Sequence, residues 1–244
     1  MEKQLFITKF DKENILIGVP KTVLMIGAHP DDIEINAGGL TAALIKNKSQ
    51  VNWLICTDGG SGSWNHKIDR QSLIKIRKKE QIDAANILEV NRVSFLDFSD
   101  GYLFDRQNDL FNNLVNKIRE LKPEMIVTHD PWKQYMSHAD HRIVGEMVSH
   151  AMIMASNSTL LKDNLEQKQD SHFTKYIGYF CPEVTNAWID LSSFSKKKEQ
   201  AILAHCSQYG DRLSFIDKIR QETEIIGREI NVKQAEAFHI GFNN

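Results

Sequence analysis

Thr22-Val23-Leu24-Met25-Ile26-Gly27, followed at once by Ala28-His29-Pro30-Asp31-Asp32-Ile33-Glu34, is the passage that decides how this chain is read. The apolar run has the length and composition of a buried strand. It ends abruptly in four polar, ligand-capable side chains: His29, Asp31, Asp32 and Glu34. Unpaired charge is costly to bury, so such a cluster at a strand end needs partners or a cation.

Outward from this point, strand and helix patterns alternate. Ala37 to Lys48 reads as a helix with Ala37, Leu40, Ala43 and Leu44 on one face. Val51–Cys56 is the next strand, followed by a Gly/Ser loop at Asp58-Gly59-Gly60-Ser61-Gly62-Ser63. Gln71 to Leu88 is a long helix with Leu73, Ile76, Ile82, Ala85 and Leu88 as core positions. Val93–Leu96 is a short strand, and Leu110 to Leu121 a helix stopped by Pro123. Met125–Thr128 is a fourth buried strand, and Asp140 to Ala155 is helical. Further on, Tyr176–Phe180 and Asn186–Leu191 read as strands with an antiparallel arrangement as one option, and Ser195–Ser207 and Ser214–Ile230 as helices.

This alternation predicts an α/β fold: a doubly wound, mostly parallel sheet with helices on both faces and a small C-terminal extension. One domain over residues 1–244 is expected, with a core at about 20–156 and a C-terminal part at about 176–240 packed on it. Ligands of such sheets bind beyond the carboxyl ends of the strands.

The composition is that of an ordinary globular protein, with 41% hydrophobic and 25% charged residues. Thirty basic and 32 acidic residues leave a formal net charge of -2, which gives no field favouring nucleic acid or an anionic membrane. Lys196-Lys197-Lys198 reads as a solvated helix face. No apolar stretch suits membrane insertion or a signal peptide. Cys56, Cys181 and Cys206 are odd in number and lack C-x-x-C spacing. Small buried hydrophobes in a reducing cytoplasm are therefore expected.

The second polar cluster, His138-Ala139-Asp140-His141, follows the fourth predicted strand and opens a helix. His29, Asp32 and His141 together make a two-histidine, one-carboxylate set, a catalytic zinc pattern with a position left open for water. Such an ion lowers the pKa of its water towards about 7. A mixed nitrogen and oxygen set also accommodates Fe2+ or Co2+. Asp31, adjacent but pointing elsewhere, is a candidate general base. His138 is a candidate for steadying an oxyanion or protonating a leaving amine, with Asp140 as its orienting partner. The bland alternatives are structural histidines and helix-capping aspartates.

Gly27-Ala28-His29-Pro30-Asp31-Asp32-Ile33-Glu34 with Gly38-Gly39, and His138-Ala139-Asp140-His141, resemble the two signature blocks of the LmbE-like, or PIG-L, N-acetylglucosaminyl deacetylases. The resemblance implies a Rossmann-like fold, zinc held by His29, Asp32 and His141, and Asp31 as general base. It gives His138 an oxyanion or acid role and Asp140 the task of orienting it. Arg77-Lys78-Lys79-Glu80 and Asp100-Gly101 resemble further blocks, which implies that Arg77 and Asp100 contact sugar hydroxyls. A surface cation and a turn residue are the alternatives there. His205-Cys206-Ser207-Gln208 and Ala235-Glu236-Ala237-Phe238 match later blocks read as architectural. Gly60 stands where many relatives place a glutamate. Met136 stands where many place a tyrosine, with Tyr135 one residue earlier.

The reading is a metal-dependent N-deacetylase acting on a small amino-sugar conjugate, with room for a homo-oligomer. Trp64 and Trp132 are candidate sugar-stacking residues. Two other classes compete. A nucleotide-binding protein of this fold would want G-x-G-x-x-G where His29-Pro30-Asp31 stands. A carbohydrate-binding protein without catalysis would not need a competent residue at every catalytic position.

Overall fold

The computed structural model describes residues 5–8, 18–63, 67–159, 170–209 and 213–243. Trp64, one of the two sugar-stacking candidates, lies outside them. An eight-stranded sheet runs in the order β1-β7-β8-β6-β5-β2-β3-β4. The strands are β1 (Ile7–Thr8), β2 (Thr22–Gly27), β3 (Gln50–Thr57), β4 (Arg92–Phe98), β5 (Met125–His129), β6 (Tyr176–Phe180), β7 (Ala187–Asp190) and β8 (Ala235–Phe242). Strands β4, β3, β2, β5 and β6 are parallel, and β8, β7 and β1 pair antiparallel. The C-terminal extension therefore widens the same sheet.

The buried strands serve two cores by the alternation of their side chains. Val23 and Met25 of β2 join Val51, Trp53 and Ile55 of β3 on one face. There they meet helices α1 (Asp32–Lys46), α2 (Arg70–Leu88) and α5 (Ser195–Leu203). Leu24, Ile26, Leu54 and Cys56 face the opposite way, against α3 (Gln107–Leu121) and α4 (Ala139–Ser156). Two further helices, α6 (Cys206–Tyr209) and α7 (Leu213–Glu229), precede β8. Among the described residues no helix is long and apolar enough to cross a membrane.

Several local expectations are corrected. Ile76 and Ile82 are 39% and 45% exposed, because the inward face of α2 carries Arg77, Glu80 and Gln81 instead. Lys198 is buried, not solvated. It donates to Glu236 Oε1 (2.7 Å), and Glu236 accepts the Gly39 and Leu40 N–H groups (both 2.8 Å). Those two donors lie just past Ala37, where α1 is kinked out of helical geometry. Glu236 thus caps the second half of a broken helix. Cys56 is buried as expected, but Cys181 and Cys206 are exposed.

Neighbouring β2 and β5 are wound away from each other: β2 is followed through α1 by β3 on one side, and β5 by β6 on the other. This is the reversal of strand order at which doubly wound sheets bind ligands. Helix α4 returns tightly under the end of β5. A Cβ on Gly145 would lie 2.4 Å from the His129 carbonyl oxygen and 3.0 Å from Pro131 Cδ. Gly145 is one turn after His141 on the same helix face, so its bareness sets how closely His141 approaches β2. Gly145→Ala should push α4 outwards and cost about 1–3 kcal/mol. Chemical denaturation should show the lower midpoint.

Candidate metal and active site

Every candidate residue of the two signature blocks sits beyond the carboxyl end of β2 or β5, and their side chains converge. His29 Nδ1 is 3.2 Å from His141 Nε2 and 3.4 Å from Asp32 Oδ2. His141 Nε2 is 3.2 Å from Asp32 Oδ1. Donors bound tetrahedrally at about 2.0–2.1 Å stand about 3.3–3.4 Å apart. The two imidazole nitrogens match that spacing, and each has a different oxygen of the Asp32 carboxylate at a similar distance, Oδ2 for His29 and Oδ1 for His141, so the three side chains gather at the scale of one divalent ion's ligands.

Proton accounting points the same way. His29 Nε2 lies 3.2 Å from Asp100 Oδ1 and 3.3 Å from Asp140 Oδ2. Ionised carboxylates only accept, so Nε2 must carry the hydrogen. In the neutral ring, Nδ1 then presents a lone pair to a carboxylate and to a second imidazole. A cation resolves that crowding of acceptors. Without one, a proton takes its place: burial opposes charging His29, yet hydrogen bonds to Asp100, Asp140 and Asp32 hold its pKa well above the usual value. The donor set fits a divalent metal of the zinc kind, and its outer carboxylates provide the partners that orient a ligating histidine.

A third histidine completes the floor, and sequence reading missed it. His129 ends β5, is buried, and stacks on His141 with ring centroids 4.1 Å apart. Its Nε2 is 3.1 Å from both the Ala28 nitrogen and Asp32 Oδ2. Burial pushes its pKa down to about 4, so the ring is neutral at ordinary pH. With Nε2 already engaged, His129 is a poorer third donor than His29. Its signal in the sequence was faint: one histidine at the end of a β-branched run.

Asp31 occupies a left-handed backbone conformation, φ 102° and ψ −23°. Such geometry in a non-glycine residue stores of order 1–3 kcal/mol. It is held from two sides. The Asp31 N–H donates to Gln81 Oε1 (2.9 Å), and Oδ2 accepts from Arg77 Nη2 (3.2 Å) and the Tyr209 hydroxyl (2.9 Å). No hydrogen bond among the described residues involves Oδ1. Burial raises the Asp31 pKa, with the Arg77 charge opposing.

Arg77 is not a surface cation. It is 3% exposed and donates to the carbonyls of Pro30 (2.6 Å) and Gly59 (2.8 Å) as well as to Asp31. Asp100 is likewise engaged: Oδ2 accepts the Ser61 N–H (2.9 Å) while Oδ1 faces His29. Both still line the cavity. Asp140 differs from expectation. Its Oδ2 accepts the Gly101 N–H (2.8 Å) and meets His29, and among the described residues no hydrogen bond joins it to His138. The reason is geometric: as the second residue of α4, Asp140 turns inward and is fully buried, whereas His138 stands exposed at the N-cap. The His138 ring lies parallel to His141, centroids 4.3 Å apart, and 4.5 Å from His29. Partial desolvation by the groups around the cavity mouth and the neighbouring histidines lower its pKa.

The cavity above these groups measures about 420 Å³ and is lined by His29, Asp31, Asp32, His138, His141 and Tyr209, among others. Met136 does not bring a tyrosine to it, and Tyr135 is 97% exposed. Trp132 is 67% exposed and packs edge-on against Tyr179, centroids 5.3 Å apart.

Comparisons with known proteins agree with this architecture. The family described as GlcNAc-PI de-N-acetylase, PIG-L, matches residues 24–152. Diacetylchitobiose deacetylase of Thermococcus kodakarensis is 30% identical over 189 residues, covering 78% of this chain and 70% of that protein. The probable N-acetyl-alpha-D-glucosaminyl L-malate deacetylase 2 of Bacillus anthracis is 26% identical over 216 residues, 85% of this chain and 92% of that one. The structure of N,N'-diacetylchitobiose deacetylase from Pyrococcus horikoshii superposes with a TM-score of 0.83 at 27% identity, over 91% of this chain and 84% of that chain. A family match spanning more than half of the chain, together with relatives that align along most of its length, establishes that this protein belongs to the PIG-L family.

Proposed function

We propose that this protein is a zinc-dependent N-deacetylase that hydrolyses the acetamide of an N-acetylglucosamine-type conjugate, releasing acetate and a free amine. The observation that carries the reading is the convergence of His29 Nδ1, His141 Nε2 and the Asp32 carboxylate, all within 3.2–3.4 Å of a neighbour on the cavity floor, with Asp31 on the same wall and its Oδ1 without a hydrogen bond among the described residues. The substrate class is supported by the relatives, which are named as deacetylases of diacetylchitobiose and of N-acetyl-alpha-D-glucosaminyl L-malate.

His29 Nδ1, Asp32 Oδ1 and His141 Nε2 would hold the metal. When bound, it supplies Lewis-acid polarisation of the amide carbonyl and acidifies a water. Asp31 accepts the proton of the attacking water as the new C–O bond forms. His138, at the cavity mouth, offers a ring N–H to the developing oxyanion. The C–N bond then breaks, and the proton passes to the departing nitrogen. Asp140 and Asp100 keep His29 in the tautomer that turns Nδ1 inwards. Arg77 acts through Asp31, whose orientation it fixes, while its remaining edge lines the sugar pocket.

Three outcomes are expected. Zinc-replete protein releases acetate from at least one of diacetylchitobiose, N-acetylglucosaminyl malate and N-acetylglucosaminyl inositol. A chelator abolishes this and added zinc restores it. No acetate from any of the three would contradict the reading. Asp31→Asn retains one zinc per chain but loses about 10²–10⁴-fold in kcat, whereas Asp32→Ala loses the metal. Metal analysis beside acetate release separates the two. Asp140→Asn weakens zinc binding by about 10–100-fold, read by competition with a chelating dye.

A further inference from the structure

Helix α6 is four residues long, and none of its side chains is fully buried. Tyr209 gives it one apolar anchor, against the small cluster of Ile202, Ile216 and Ile219, and polar contacts supply the rest. Glu80 of α2 accepts both the N–H and the hydroxyl of Ser207, each at 2.6 Å. Just ahead of the helix, fully buried His205 places Nε2 3.1 Å from Glu34 Oε1. Glu34 Oε1 also accepts from Gln81 Nε2, and Gln81 Oε1 receives the Asp31 N–H. The network that pins the strained Asp31 backbone therefore also pins α6.

At the end of α6, the Tyr209 hydroxyl donates to Asp31 Oδ2 at 2.9 Å. Its ring stacks on Phe215, centroids 4.1 Å apart and planes 9° apart. That stacking needs a ring but no hydroxyl. The hydroxyl's one hydrogen goes to Asp31, on the wall of the cavity. With Tyr209 and Arg77 both donating to Oδ2, the carboxylate cannot rotate without losing two charge-assisted hydrogen bonds. Oδ1 is left as the oxygen able to take a proton.

We propose that Tyr209 is a positioning residue for Asp31, delivered to it by the Glu80–Ser207 clasp. This rests on the assignment of Asp31 as general base. The block His205-Cys206-Ser207-Gln208 is then the mount of one catalytic contact and not architecture alone. The clasp should influence turnover mainly through Tyr209; Gln208, which donates to Ser207 Oγ at 3.2 Å and also lines the cavity, is the neighbour whose contribution would show as additivity.

The test compares Tyr209→Phe, Ser207→Ala, the double variant and Asp31→Asn in zinc-loaded protein, with diacetylchitobiose as substrate. Acetate release, zinc content and denaturation midpoint are measured for each. Tyr209→Phe keeps the ring on Phe215, so its fold and zinc content should match those of the parent. Its kcat should fall roughly 10- to 100-fold with KM unchanged, the mark of an interaction felt at the chemical step. Ser207→Ala should lower kcat less, and the double variant should be no slower than Tyr209→Phe, since both act through one contact. Unchanged kcat in Tyr209→Phe, or a raised KM with kcat intact, would overturn the positioning role. Additive losses in the double variant would overturn the clasp. Full activity in Asp31→Asn would remove the base assignment itself, a result distinct from either.

Discussion

The contact on which the rest depends is the pair of nitrogens of His29. One faces two carboxylates, and the other faces a carboxylate and an imidazole. This ring can satisfy Asp100 and Asp140 only by protonating Nε2, and doing so turns a lone pair towards the other acceptors. Buried acceptors facing one another are costly unless positive charge lies between them. The site is therefore arranged to receive a cation, and the same arrangement orients a ligating histidine.

The sheet makes this arrangement possible by bringing two distant segments side by side. Strands β2 and β5 are neighbours although about a hundred residues separate them in sequence. Each ends in a polar turn at the same edge. Gly145 lets α4 lie against the end of β5, and the kink at Ala37 with its Glu236 cap lets α1 begin early enough to include Asp32. Loops after β3 and β4 add Ser61, Gly62, Asp100 and Gly101 as the walls. Stability and chemistry meet at Arg77 and Glu80, where a helix face that would ordinarily be apolar is given over to holding Asp31 and α6.

Much of this was legible in the residues, and the gaps have physical causes. Strands β2, β3 and β5 were readable because doubly buried strands are continuous apolar runs, whereas β6, read as one of an antiparallel pair, runs parallel to β5 and antiparallel to β8. Strand β8 was not readable, since Ala235-Glu236-Ala237-Phe238 buries a glutamate paired with Lys198, and a charge inside a strand breaks the pattern. Ile76 and Ile82 were misplaced because periodicity assumes an apolar inward face, and α2 puts its functional polar residues there. The convergence of His29, Asp32 and His141 followed from two polar clusters at strand ends. His129 and Tyr209 did not, because each is a lone residue whose importance exists only through a distant partner. Asp140 was seen but given the wrong neighbour, since adjacency in sequence to His138 says little about which way a helical side chain points.

The most direct test of the central claim is a crystal structure of zinc-loaded protein with anomalous data at the zinc edge. The account predicts one ion per chain, within about 2.0–2.2 Å of His29 Nδ1, His141 Nε2 and an oxygen of Asp32, with Nε2 of His29 still facing Asp100 and Asp140. An ion bound through His29 Nε2, or held by His129 in place of His29, would contradict it.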